Sequence, residues 1–342
     1  MINIDEAVVN NLIFHRFGTE GNLSYVNTEE YQIGGELEEE VIKRIFLKSF
    51  TNQASTYEFV HDVDLKMNVL FNLAKDIYEE ESFLIRSQEI HQHLKSVSKH
   101  PNIKDGDLFV VKYDNVQMDN NYYQALGIYK VENKENFIET NPSDSTKIGL
   151  DFRQGIGSKK LDKALLIVFS EEPYTVFIID NASVDTDYWL NEFAKVDFRK
   201  DYVNSTNNFL TLTKDFITEQ IPEEYDLSKA DQIDLLNRSV DYFKKHDTFE
   251  KEEFEKEVFQ ENDVIESFRS FDESYSQEKD LVINDSFEIS PQAVKKQARV
   301  FKSVLKLDKN FHIYIHGDRK LIEQGVEQDG RKYYKIYYKD EN

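Results

Sequence analysis

The spacing of the apolar residues changes at Gly106-Asp107, and that change constrains the fold more than any other feature of the chain. Before it, apolar positions recur at helical spacing. Leu37 to Phe50 carries Leu37, Val41 and Ile45 beside Ile42, Phe46 and Phe50, one broad stripe. Val63 to Tyr78 places Val63, Met67, Leu70, Ala74 and Ile77 in register, and Ser82 to Ser98 is striped by Phe83, Ile90, Leu94 and Val97 before Pro101. After it, the apolar runs are of strand length. Leu108 to Tyr113 and Tyr122 to Val131 flank the turn residues Asp119-Asn120-Asn121. Lys163 to Phe169 and Thr175 to Asp180 flank Glu171-Glu172-Pro173, and Ala7 to Phe14 reads as an opening strand. Helices followed by antiparallel hairpins predict an α+β domain over residues 1–185.

Residues 186–342 predict a helical segment that ends in strands. Tyr188 to Val196 and Val203 to Gln220 are helical, the latter stopped by Pro222. Ser228 with Asp231 forms a capping-box pattern for a helix to about Lys245. Phe249 to Phe259 and Asp263 to Phe271 are shorter helices, and Ser290-Pro291 opens another. Lys302 to Leu307, Phe311 to Gly317 and Lys332 to Tyr338 then predict a C-terminal antiparallel β-meander.

Charge is unevenly shared. The 342 residues have a formal net charge of −23. From Lys295 onward there are 12 Lys and Arg against 7 Asp and Glu; the other 294 residues hold 30 against 58. A basic end on an acidic chain predicts different partners for the two parts. The overall balance disfavours indiscriminate coating of DNA, because a negative surface repels the duplex. Without Cys, the chain has no disulfide, thiolate nucleophile or Cys-based zinc site. Its opening residues predict no signal peptide, and no apolar run approaches the roughly 20 residues of a membrane span.

No catalytic or metal motif is evident. His312 and His316 share a strand face but stand about 13 Å apart at ~3.3 Å per residue. His91 and His93 point about 200° apart on a helix. Gly155-Ile-Gly-Ser-Lys-Lys lacks the order and following helix of a nucleotide-binding P-loop, although its backbone and lysines could meet a nucleic-acid phosphate. Asp247 to Asp280 holds 13 acidic and 4 basic residues, read either as solvated helix faces or as a surface for a basic partner. In the final strands Lys302 shares a face with Lys306, and Arg331 and Lys335 alternate with Tyr333 and Tyr337. This pattern suits phosphate contact with stacking, and equally suits charged protection of a strand edge.

Several blocks resemble the bacterial nucleoid-associated protein family. They are Ile4-Asp5-Glu6-Ala7-Val8-Val9, Gly106-Asp107-Leu108-Phe109-Val110, Lys160-Leu161-Asp162-Lys163-Ala164, Tyr188-Trp189-Leu190 with Phe193, and Asn208-Phe209-Leu210-Thr211. The most specific is the tail running from Phe301-Lys302-Ser303-Val304-Leu305 to Ile313-Tyr314-Ile315-His316-Gly317. The resemblance implies a non-enzymatic protein of the cytoplasm and nucleoid, without a cofactor, that binds DNA. It supplies no agreed binding residues. Local charge selects Lys159, Lys160, Lys163, Arg199, Lys200, Lys302, Lys306, Lys309, Arg331, Lys332 and Lys335 as candidate phosphate contacts. The alternative is an adaptor whose acidic helices bind a basic protein already on DNA. Helical stripes wider than one core needs are also consistent with a homodimer.

Overall fold

The computed structural model describes residues 2–19, 21–144, 147–181, 188–279, 281–301, 304–315 and 321–340. Its class is α+β. The chain forms two compact units, Met1–Arg199 and Lys200–Asn342.

In the first unit, eight of the described strands form one antiparallel sheet. Its centre is Gly106–Met118, Asn121–Val131, Lys163–Val168 and Thr175–Asp180, paired in that order. Val8–Phe17 and Ile2–Asn3 cover the free edge of Gly106–Met118. Asp119 and Asn120 both take left-handed backbone conformations (φ 49° and 67°), as a tight hairpin turn requires.

Alternation along each strand sorts the core into two layers. Val110, Ile128, Leu165 and Ile167 face the helices Val69–Tyr78 and Phe83–Val97, together with Trp189 and Phe193. Val111, Tyr129, Leu166 and Val168 face Ile42, Phe46, Leu47 and Phe50. Both faces of the sheet are therefore covered, which is why Lys163–Val168 is buried at every position.

Several helical expectations are corrected. Leu37, Val63 and Met67 are exposed and lie outside the core stripes. The helix expected from Val63 begins at Val69, because Asn68 caps it. Its side chain accepts from the Phe71 amide and donates to the carbonyls of Ala194 and Lys195. The first unit extends past 185 because Val196–Phe198 returns to pair with Tyr57–Phe59. An unanticipated two-stranded ribbon, Glu135–Asp144 with Lys147–Gly155, is not paired with the main sheet.

The second unit is built around rings. Phe209 packs on Phe249 and Phe254 at centroid distances of 4.2 and 4.9 Å, and Phe216 packs on Phe268 at 5.1 Å. They join the helices Tyr202–Asp215, Lys229–Lys245, Lys251–Val258 and Asn262–Lys279. Pro222 does not end the preceding helix; it sits in the first turn of Ile221–Glu224, where a missing amide is tolerated. The capping box at Ser228 forms, with reciprocal bonds to Asp231 at 3.1 and 3.0 Å. Ser228→Ala is expected to destabilise this unit by about 1 kcal/mol, read by urea unfolding followed by circular dichroism. Ser290 caps Pro291–Ala298 as the sequence suggests.

The C-terminal strands are two separate hairpins among the described residues, not one meander. Val304–Leu307 pairs with Phe311–Tyr314, and Ile322–Val326 pairs with Lys332–Ile336. Leu305, Ile315 and Ile322 cluster against Ala230 and Ile233 of the helix Lys229–Lys245.

Candidate nucleic-acid interface

The hairpin Ile322–Val326/Lys332–Ile336 presents two different faces. Ile322 and Tyr334 turn toward the core. Tyr333, Lys335 and the following Tyr337 occupy the other side and are exposed. Tyr333 lies directly over Gly325, its cross-strand partner. A β-carbon on Gly325 would stand 2.4 Å from the tyrosine oxygen, so glycine permits this close approach. The Lys335 ammonium sits 4.9 Å from the Tyr337 ring centre and 3.7 Å from Glu323. Tyr337 and Glu323 hold that ammonium above the usual lysine range. Arg331 is exposed and paired with Asp329 at 2.7 Å. The result is a solvent-facing row of cations and tyrosine rings, geometry suited to phosphate contact and base stacking.

The other candidates are dispersed. Lys306, opposite His312, and Lys309 are exposed on the first C-terminal hairpin, while Lys302 and His316 lie outside the described residues. Lys332 is exposed on the Tyr334 side of the second hairpin. In the first unit Lys159 is almost fully exposed, with Glu135 at 3.9 Å, and Lys160 donates to the Asn181 carbonyl at 3.3 Å. Lys200 is exposed. Arg199 is half-buried and donates to the Tyr174 carbonyl at 3.2 Å.

Lys163 must be withdrawn from the surface. It is buried, bonded to Asp180 at 2.6 Å and held 5.0 Å from the Tyr188 ring centre. Both faces of its strand are covered, so no side chain there reaches a phosphate.

Basic residues that sequence reasoning missed lie at the ends of two helices. Lys244, Lys295 and Arg299, with His246 and Asp247, line a cleft of about 460 Å³ floored by Phe243, Ile289 and Val294. Cations in a last helical turn ordinarily complement the helix dipole, so position in sequence alone gave no reason to select them.

Acidic residues gather elsewhere in the same unit. A concavity of about 890 Å³ is lined by seven carboxylates and three cations. Within it Glu255 is buried and accepts two bonds from the Arg269 Nε and one from Nη2. Lys251 bonds Asp272 at 2.5 Å. Beside it, His246, Glu253 and Glu257 bring potential ligand atoms within 4.8 Å of one another. The fold thus supplies a histidine with carboxylate neighbours, which the sequence alone did not pair. The Tyr242 ring stacks on His246 at 4.3 Å, and its hydroxyl donates to Glu253 at 3.1 Å. These three side chains lie close enough together to ligate a cation.

Fold and surface together define an α+β protein of acidic composition whose C-terminal hairpins expose lysine, arginine and tyrosine side chains. The chain belongs to the NA37 family, nucleoid-associated protein YejK, whose model matches residues 13–337. Membership implies a place in the cytoplasm at the nucleoid. A search of curated proteins found no match. No helix among the described residues is long and apolar enough to cross a membrane.

Proposed function

We propose that this protein binds DNA directly and without enzymatic action, through phosphate contacts from the exposed lysine and arginine side chains of its C-terminal hairpins. One observation carries the reading: the Arg331, Lys335, Tyr333 and Tyr337 side chains are exposed together on one hairpin of an otherwise acidic chain in a nucleoid-associated family. Phosphate contacts fix position without reading bases, so binding should be insensitive to sequence and steeply dependent on salt. Lys306, Lys309 and Lys332 extend the basic surface, and the Lys244–Lys295–Arg299 cleft offers a second contact.

The test is fluorescence anisotropy with random duplex DNA across a salt series. Triple reversal Lys306→Glu, Lys309→Glu and Lys335→Glu should weaken binding more than tenfold. It should also flatten the slope of log K against log salt by roughly 0.9 for each phosphate that is no longer neutralised. Unchanged affinity and slope would remove the hairpins from the interface.

A second reading rests on the acidic concavity around Glu250, Glu253, Glu257 and Glu273. Its occupant would be a basic protein segment, and nucleoid association would then run through that partner. Absence of DNA binding even at low salt favours this reading.

A further inference from the structure

The ribbon Glu135–Asp144/Lys147–Gly155 has one face that solvent should not be wetting. Cross-strand pairing places Ile138 opposite Phe152 and Thr140 opposite Leu150, with Ile148 next along the same side. Ile138 is 59% exposed, Ile148 78%, Leu150 60% and Phe152 80%. The opposite face sets Phe137 among charged and polar side chains. There Arg153 pairs with Glu139 at 2.7 Å, and Asn141 bonds Asp151 at 2.5 Å. A two-stranded ribbon is marginally stable in water by itself, and apolar cover on one face is the ordinary remedy.

We propose that this face packs against the same face of a second copy of the chain, and that the ribbon is a homodimer interface. Two observations select a second copy as the occupant. The first is charge. Copies with a net charge of −23 repel one another, so self-association needs a contact free of like charges. The rows Asn136/Gln154, Ile138/Phe152 and Thr140/Leu150 hold no ionisable side chain. The second is area. The four apolar side chains expose on the order of 500 Å² per copy, so two faces bury ~1,000 Å², where specific interfaces begin. A two-fold axis through the Thr140/Leu150 row, midway between Phe152 and Ile148, would set Leu150 of one copy beside Leu150 of the other, closing the contact as an isologous pair. The inference does not depend on DNA binding; where DNA is bound, two linked copies engage the duplex together and raise avidity.

Sedimentation velocity of the full-length protein without DNA tests it. The expected result is a dimer that dissociates on dilution. Ile148→Glu with Phe152→Glu should leave a monomer with unchanged Trp189 fluorescence, because neither side chain belongs to the unit's core. Arg153→Glu, on the opposite face, should leave the dimer intact. The chain has no cysteine, so Leu150→Cys adds its sole thiol. A short bis-maleimide should then couple two copies, whereas Arg153→Cys should not couple. A wild-type protein that stays monomeric at every concentration overturns the proposal and leaves the face to another partner. A dimer that survives the double glutamate substitution overturns it as well.

Discussion

Lys130→Ala is expected to destabilise the first unit by about 3–5 kcal/mol, the usual result of leaving a buried charge without its partner. The Lys130 side chain is fully buried. Its ammonium bonds the Glu132 carboxylate at 2.7 Å and the Tyr188 hydroxyl at 3.0 Å, and lies 4.8 Å from the centre of the Phe17 ring. Burial pushes the ammonium down from the usual lysine range, while Glu132 pulls it back. Strand pairing sets Lys130 directly opposite Lys163, a like-charge neighbour that is tolerable only because each lysine has its own carboxylate. Truncating Lys130 strands Glu132, whose side chain is 5% exposed, and removes a cation from two aromatic faces. Trp189 is the one tryptophan of the chain and is buried in this unit, so its fluorescence during urea unfolding reads the first unit specifically. Lys130→Met combined with Glu132→Gln should recover much of the loss, because it removes both charges. A single substitution costing under about 1 kcal/mol would show the pair to be dispensable.

Acidification below pH 6.5 is expected to weaken the same unit. His15 is buried between strand and helix. The Asn27 amide donates to its Nδ1, so Nε2 carries the proton and donates to the Ser87 hydroxyl at 3.3 Å. Burial, and then the His91 ring 5.6 Å away, lower the His15 pKa from 6.5 to about 4. Burial also lowers His91 and His93, whose Nε2 protons go to the carbonyls of Arg16 and Phe193. The His91 Nδ1 is buried without a partner among the described residues, so its protonation would leave a desolvated donor. The folded pKa values are depressed, so between pH 6.5 and about 4 the unfolded chain binds more protons than the folded one. Stability therefore falls as pH falls through that window, by about 3 kcal/mol at most from His15. The measurement is the urea midpoint by Trp189 fluorescence at stepped pH. His15→Gln should flatten the profile relative to wild type; parallel profiles would exclude His15 as the cause.

Much of the α+β pattern was legible because it depends on local rules. Ser228 with Asp231 and Ser290 before Pro291 announced two helix starts that the fold uses. Asp119 and Asn120 announced a turn that needs left-handed backbone. The failures share one cause, which is tertiary partnership. Leu37, Val63 and Met67 fit a helical stripe by spacing, yet no opposing surface meets them, and all three face solvent. Ile148, Leu150 and Phe152 do alternate, but the partner strand Glu135–Asp144 has only the adjacent Phe137 and Ile138 as large apolar residues, so the ribbon became evident only when its two strands were paired.

The same distinction divides the candidate site. Sequence by itself determined the charge asymmetry, the fold class and the family likeness, because these reside in composition, periodicity and the order of residues. It could also place Arg331, Tyr333, Lys335 and Tyr337 on one strand face, since side chains alternate with period two. Only the tertiary structure decided which cations face water. Lys159 and Lys163 stand four residues apart, but the second enters a strand covered on both faces and turns to Asp180, while the first stays in the loop. Desolvating an ammonium is tolerable only beside a carboxylate, and where that carboxylate lies is a property of the folded chain.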